Sequence, residues 1–114
     1  MKREVGDYIE DIINAIDNAV NFTEGMTDEQ FAKDDKTSFA AVRALEIIGE
    51  AVKKIPEDIK KKYPEVPWKD MTGMRDKLIH EYFGVKLNIV WETIKKEIPR
   101  LKSIFEKILM DLEK

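Results

Sequence analysis

VGDYIEDIINAIDNAV, residues 5–20, decides the fold class. Within it Val5, Tyr8, Ile9, Ile12, Ile13, Ile16, Ala19 and Val20 recur at three- and four-residue steps, so an α-helix gathers them into one apolar stripe. A strand needs strict alternation, and no alternating run of useful length occurs along the chain. Downstream, Gly25 is a helix terminator, and Thr27-Asp28-Glu29-Gln30 has the Thr-x-x-Gln form of a capping box that opens a short helix containing Phe31. A second long stripe runs through Phe39, Val42, Leu45, Ile48, Val52 and Ile55, beginning near Asp34 or Asp35. Pro56 ends it and starts another short helix over residues 57–62.

Two prolines three residues apart in Tyr63-Pro64-Glu65-Val66-Pro67 make that stretch a loop. A third main helix is expected from between Pro67 and Asp70 to about Phe83, stopped by Gly84. The last carries Ile89, Val90, Ile94, Ile98, Leu101, Ile104, Phe105, Ile108 and Leu112, with a kink predicted at Pro99 because proline removes a backbone donor. Four main helices joined by short connections predict an all-α protein: an antiparallel four- to five-helix bundle, one domain over residues 1–114.

Composition narrows the chemistry. Of 114 residues, 43% are hydrophobic and 38% charged, enough apolar material for a core beneath a charged surface and too much for a disordered chain. The 20 basic and 23 acidic side chains leave a net charge of −3, which argues against a generic positive coat for nucleic acid but permits a local basic cleft. Without cysteine there is no disulfide scaffold, iron–sulfur cluster or thiolate zinc site, and the single histidine excludes multi-histidine metal centres. No run approaches the ~18 apolar residues of a membrane span, and the N-terminus has no signal-peptide core, so a cytoplasmic protein is expected. The Lys/Glu-rich make-up suits proteins from hot environments, and equally any helical protein with charged faces.

Chemistry concentrates in residues 71–85, Met-Thr-Gly-Met-Arg-Asp-Lys-Leu-Ile-His-Glu-Tyr-Phe-Gly-Val, which place Arg75, the only histidine (His80) and Tyr82 on one helix. At about 100° per residue, Arg75 and Tyr82 share a face while His80 lies about 140° round from Arg75. Bland readings stand beside this: a histidine near a helix end is often a cap or surface residue. Arg75 could pair with Glu46 or Glu50, and Tyr82 could be an amphipathic core residue. Met71, Met74 and Leu78 are candidates either for an interface or for the internal core. A ferritin-like metal site needs Glu three residues before His, and position 77 is Lys. Glu46 and Glu50 share a helix face, where a salt bridge to Arg43 or Arg75 is favoured over a bound cation. The Lys60–Lys62 run beside Lys53 and Lys54 reads first as a solvated face.

Arg75-x-x-x-x-His80-x-Tyr82 resembles the signature of the HEPN domain, in particular its HepT-like branch of minimal toxin–antitoxin proteins. Residues 42–51 (VRALEIIGEA), Gly73-Met74 before the arginine, and Tyr82-Phe83-Gly84-Val85 followed by Val90-Trp91 resemble that branch too, so the likeness covers nearly the whole chain. One departure is Asp76, where many relatives carry asparagine; a carboxylate there can orient His80, four residues on, or offset Arg75. The resemblance implies a dimeric, metal-independent ribonuclease without cofactor, with His80 as acid/base and Arg75 as phosphate ligand. Asp76 and Tyr82 support them, with Arg43, Glu46 and Glu50 behind. That chemistry is coherent, because a histidine with its ordinary pKa of ~6.5 can move the 2′-hydroxyl proton, and arginine can hold a phosphate with two parallel hydrogen bonds. One histidine per chain gives a reason for a two-fold homodimer that brings two to one cleft. The resemblance also implies a partner, a small nucleotidyltransferase antitoxin that attaches AMP to Tyr82. The competing class is a non-catalytic helical dimer that serves such a nucleotidyltransferase as a binding subunit; it predicts Arg75 and His80 buried and fully paired.

Overall fold

The helix boundaries are set by side chains that satisfy the free backbone groups at helix ends. The computed structural model describes residues 3–80 and 86–113. Helix α1, Val5–Thr23, starts at Glu4, whose N–H donates to the Asp7 carboxylate at 2.9 Å. It ends before Gly25, whose φ of +77° lies in the left-handed region that favours glycine. Thr27 and Gln30 form the reciprocal capping box at 3.1 and 2.9 Å, opening α2, Asp28–Lys33. The Asp34 carboxylate then accepts the Thr37 N–H at 3.0 Å and starts α3, Asp35–Lys53. Pro56 precedes α4, Glu57–Lys62, and α5 runs from Trp68 to His80. The chain continues in α6, Leu87–Glu92, passes through one wide π-helical turn, Thr93–Glu97, and ends in α7, Ile98–Leu112.

These elements build the expected all-α bundle. Helix α3 is central, packed on α1 at one side and α5 at the other, while α7 packs against α1. The α1 stripe buries Ile9, Ile12, Ile16 and Ala19, and α7 contributes Leu101, Phe105 and Ile108. Trp68, at the start of α5, meets Phe105 edge-on with centroids 5.8 Å apart, and its indole N–H donates to the Tyr63 carbonyl at 3.0 Å. The proline-rich loop is thereby tied to the core, and the buried Tyr63 hydroxyl bonds the Asp111 carboxylate near the end of α7. On the far side Phe31 of α2 packs on Trp91 of α6.

Three expectations change in detail. Phe39 is 56% exposed, because it sits about 120° around α3 from Leu45, at the centre of the buried face. Ile89 and Leu112, assigned to the last stripe, are also exposed, near the start of α6 and at the end of α7. Just before Pro99, where a kink is expected, the chain makes the π turn over Thr93–Glu97. Proline's ring crowds the carbonyl four residues back, and a wider turn, in which the Ile98 N–H donates to the Thr93 carbonyl, relieves that contact. The predicted end of the third helix near Phe83 falls among residues 81–85, outside the described residues.

Candidate active site

Helix α5 divides its faces sharply. Met71 and Leu78 are buried against the bundle and Met74 is half-buried, so of the two readings open for these residues, the internal core holds for Met71 and Leu78. Arg75 sits about 40° round the helix from Met71, at the margin of the packed face, and Asp76 and His80 lie a further 100° and 140° round, towards solvent. His80 is exposed at the last described position of the helix, and the Arg75 side chain retains 23% of its exposure. Neither residue is enclosed and fully paired, which is the arrangement the non-catalytic reading requires. Tyr82 lies outside the described residues.

The arginine is held at its stem rather than by a distant carboxylate. Helices α3 and α5 cross at Gly49, so closely that a methyl group there would lie 2.1 Å from Arg75 Cβ, 2.8 Å from its Cγ and 3.0 Å from the Met71 carbonyl oxygen. Carbon atoms in contact sit about 3.5–4.0 Å apart, so only glycine fits this crossing as built. The close approach buries Arg75 Nε, which has no hydrogen-bond partner among the described residues, and leaves Nη1 to donate to Asp76 Oδ1 at 2.9 Å. Gly49 lies within residues 42–51, where the family resemblance by itself assigns it no role. Its signal was present: glycine in the middle of a helix costs about 1 kcal/mol relative to alanine, so its place between Ile48 and Glu50 needs a packing reason.

Asp76 is shared by several cations. The hydrogen bond from Arg75 holds its carboxyl below the usual carboxylate range, and the charges of Lys53, Arg75 and His80 pull the same way. Lys53 Nζ, from the last turn of α3, stands 3.9 Å from the same Oδ1. Of the two roles open to Asp76 in the sequence, the hydrogen bond goes to Arg75. The pairing of Arg75 with Glu46 or Glu50 does not occur. Those carboxylates turn to Arg43, with Nη1 at 3.7 Å from Glu46 and 3.3 Å from Glu50. Arg43, Glu46 and Glu50 thus form a charged ladder along α3. Among the described residues no three His, Cys, Asp or Glu side chains gather as a metal site would need, and no helix is long and apolar enough to cross a membrane.

Arg75 and His80 are thus carried by one helix of an all-α bundle, as the resemblance to the HEPN signature implies. The comparisons agree in kind. The profile of the family described as Ribonuclease HepT-like matches residues 12–108. The chain is 53% identical over 112 residues to Putative RNase MJ0125 of Methanocaldococcus jannaschii, covering 98% of this chain and 97% of that one. It is 55% identical over 108 residues to Probable ribonuclease HepT of Thermococcus cleftensis, covering 95% and 98%. No solved structure matches the chain with significance. The chain belongs to the HepT-like ribonuclease family.

Proposed function

We propose that this protein cuts RNA internally without a metal, as the toxin of a toxin–antitoxin pair. The observation that carries the reading is that α5 holds both Arg75, anchored at its stem and partly exposed, and His80, exposed at the end of the helix. In the proposed reaction the 2′-hydroxyl loses its proton to a histidine, and its oxygen bonds to phosphorus. The bond from phosphorus to the 5′-oxygen breaks, and that oxygen takes a proton. The products are a 2′,3′-cyclic phosphate and a free 5′-hydroxyl. Arg75 stabilises the charge that builds on the phosphate, as a guanidinium does with two parallel N–H bonds. Each chain has one histidine, and a two-fold homodimer would supply both the base and the acid.

Control by a nucleotidyltransferase antitoxin completes the proposal. AMP attached to Tyr82 adds a phosphate close in sequence to Arg75, where it would compete with RNA for the anion site. The decisive experiment uses the purified protein with RNA in EDTA. Wild type is expected to cut and leave cyclic phosphate ends, His80→Ala to lose ~100-fold or more, and Arg75→Lys to be impaired because it keeps charge but not the two-pronged geometry. Cleavage that needs added Mg²⁺, or a fully active His80→Ala, refutes the mechanism. Intact mass after co-expression with the nucleotidyltransferase tests the second part: added AMP on wild type and none on Tyr82→Phe.

A further inference from the structure

We propose that Lys53 is a second phosphate-binding residue beside Arg75, and that in the free protein the Asp76 carboxylate occupies the place between the two cations that an RNA phosphate takes. This rests on the ribonuclease reading of the same site. One oxygen, Asp76 Oδ1, receives both contacts: Arg75 Nη1 at 2.9 Å and Lys53 Nζ at 3.9 Å. A phosphate oxygen has the same charge and the same acceptor chemistry as that carboxylate oxygen, so the pair of cations that brackets one can bracket the other.

The three groups differ in how freely they can move, and in the sense that an exchange requires. Arg75 is pinned at Cβ and Cγ against Gly49, and its side chain is 23% exposed. Asp76 and Lys53 keep 47% and 48% of their side-chain exposure. The carboxylate can therefore swing out toward water while the guanidinium stays, and the lysine can follow an incoming anion. Lys53 comes from α3 and Arg75 from α5, so the two positive groups approach from opposite sides of the helix crossing. The ammonium supplies a mobile point charge where the guanidinium supplies fixed geometry. Lys53 thus separates from the lysine run of α4, where Lys60 is engaged by Glu57.

The test measures binding apart from cleavage. The probe is a short single-stranded RNA with every 2′-hydroxyl methylated, which has no nucleophile, titrated by fluorescence anisotropy at several salt concentrations. Lys53→Ala is expected to bind about five- to tenfold more weakly at low salt. The slope of log affinity against log salt should fall by about 0.7, as for one lost phosphate contact on a single strand. Lys53→Arg should bind nearly as wild type. Asp76→Asn removes the resident anion and should bind several-fold more tightly. Lys53 is half-exposed, so melting temperatures of its variants should match wild type and confirm that they fold. An unchanged isotherm and slope for Lys53→Ala overturns the assignment of Lys53. Weaker binding by Asp76→Asn overturns the exchange and makes the carboxylate a strut for Arg75. If wild type binds none of this RNA, the ribonuclease reading falls as well, whereas wild-type binding with an unaltered Lys53→Ala isotherm removes this assignment alone.

Discussion

Replacing Gly49 with alanine sets two effects of opposite sign against each other. In an open helix the change stabilises by about 1 kcal/mol, because alanine loses less backbone freedom than glycine on folding. At this crossing the new methyl begins 2.1 Å from Arg75 Cβ. Carbon contact needs about 3.5 Å or more, so α5 must retreat by roughly 1.5 Å or the arginine stem must rotate away. Forcing an extra methyl into a packed site costs about 1–3 kcal/mol, and a backbone carbonyl at 3.0 Å blocks the easy escape. The net expectation is a loss of up to about 2 kcal/mol, and about 1 kcal/mol at the middle of that range lowers the melting temperature by about 5 °C. Activity should suffer more, since a misplacement of ~1 Å in a positioning group can cost ~100-fold. Gly73→Ala is the internal comparison: its methyl would meet nothing within 4 Å, so it should raise the melting temperature. The assay pairs calorimetry with RNA cleavage well below the transition. A Gly49→Ala protein that melts as high as Gly73→Ala and cuts RNA like wild type refutes the reasoning. The double variant Gly49→Ala/Arg75→Gly, which removes the Cβ and Cγ that the methyl would strike, should regain stability but not activity.

Further outcomes follow from the tie between the loop and α7 and from the core. The Asp111 hydrogen bond, with burial and the Asp111 charge adding to it, pushes the Tyr63 hydroxyl up to about 12. A folded value above the ordinary 10 favours the native state at neutral pH and loses that contribution as pH rises from about 10 through 12. Wild type should therefore lose stability across that window more steeply than Tyr63→Phe, as followed by thermal melts at stepped pH; equal slopes would contradict the assignment. Phe105→Ala empties a fully buried site against Trp68 and should cost about 3–5 kcal/mol by denaturant unfolding.

Local chemistry made the fold legible. The Thr27–Gln30 box, the turn at Gly25, the start at Asp34 and the break at Pro56 each depend on a few neighbouring residues, so reading those residues was enough to place the helices. The apolar stripes located the core but not its edges, since exposure at Phe39 and Ile89 depends on which helix covers which face. For the candidate site, the sequence names candidates but not their arrangement. Arg75 and His80 could be picked from the sequence. That Arg75 turns to Asp76 rather than to Glu46 or Glu50, and that Lys53 leaves the lysine run to join it, depends on where α3 crosses α5. That crossing is fixed by one missing Cβ, at Gly49, and the pattern of apolar residues carries no trace of it.

The wide turn at Thr93–Glu97 works as a phase correction along the last rod. A regular helix advances about 100° per residue, so each four-residue step in the buried series Val90, Ile94, Ile98 overshoots a full circle by about 40°. Two such steps in succession carry Ile98 about 80° round from Val90, and in a regular helix only the three-residue step to Leu101 would bring the stripe back. The slower advance of the π turn absorbs the overshoot, so α6 can keep Trp91 on Phe31 while α7 keeps Phe105 on Trp68. The consequence concerns chain length rather than side-chain identity. Deleting one residue of this turn would let the rod close up as a regular helix with little net rotation, because the wide turn holds about one residue more than an α turn. Deleting Arg100, in the regular part of α7, would instead rotate one half of the rod by about 100° against the other, so that one of the two aromatic contacts must be given up.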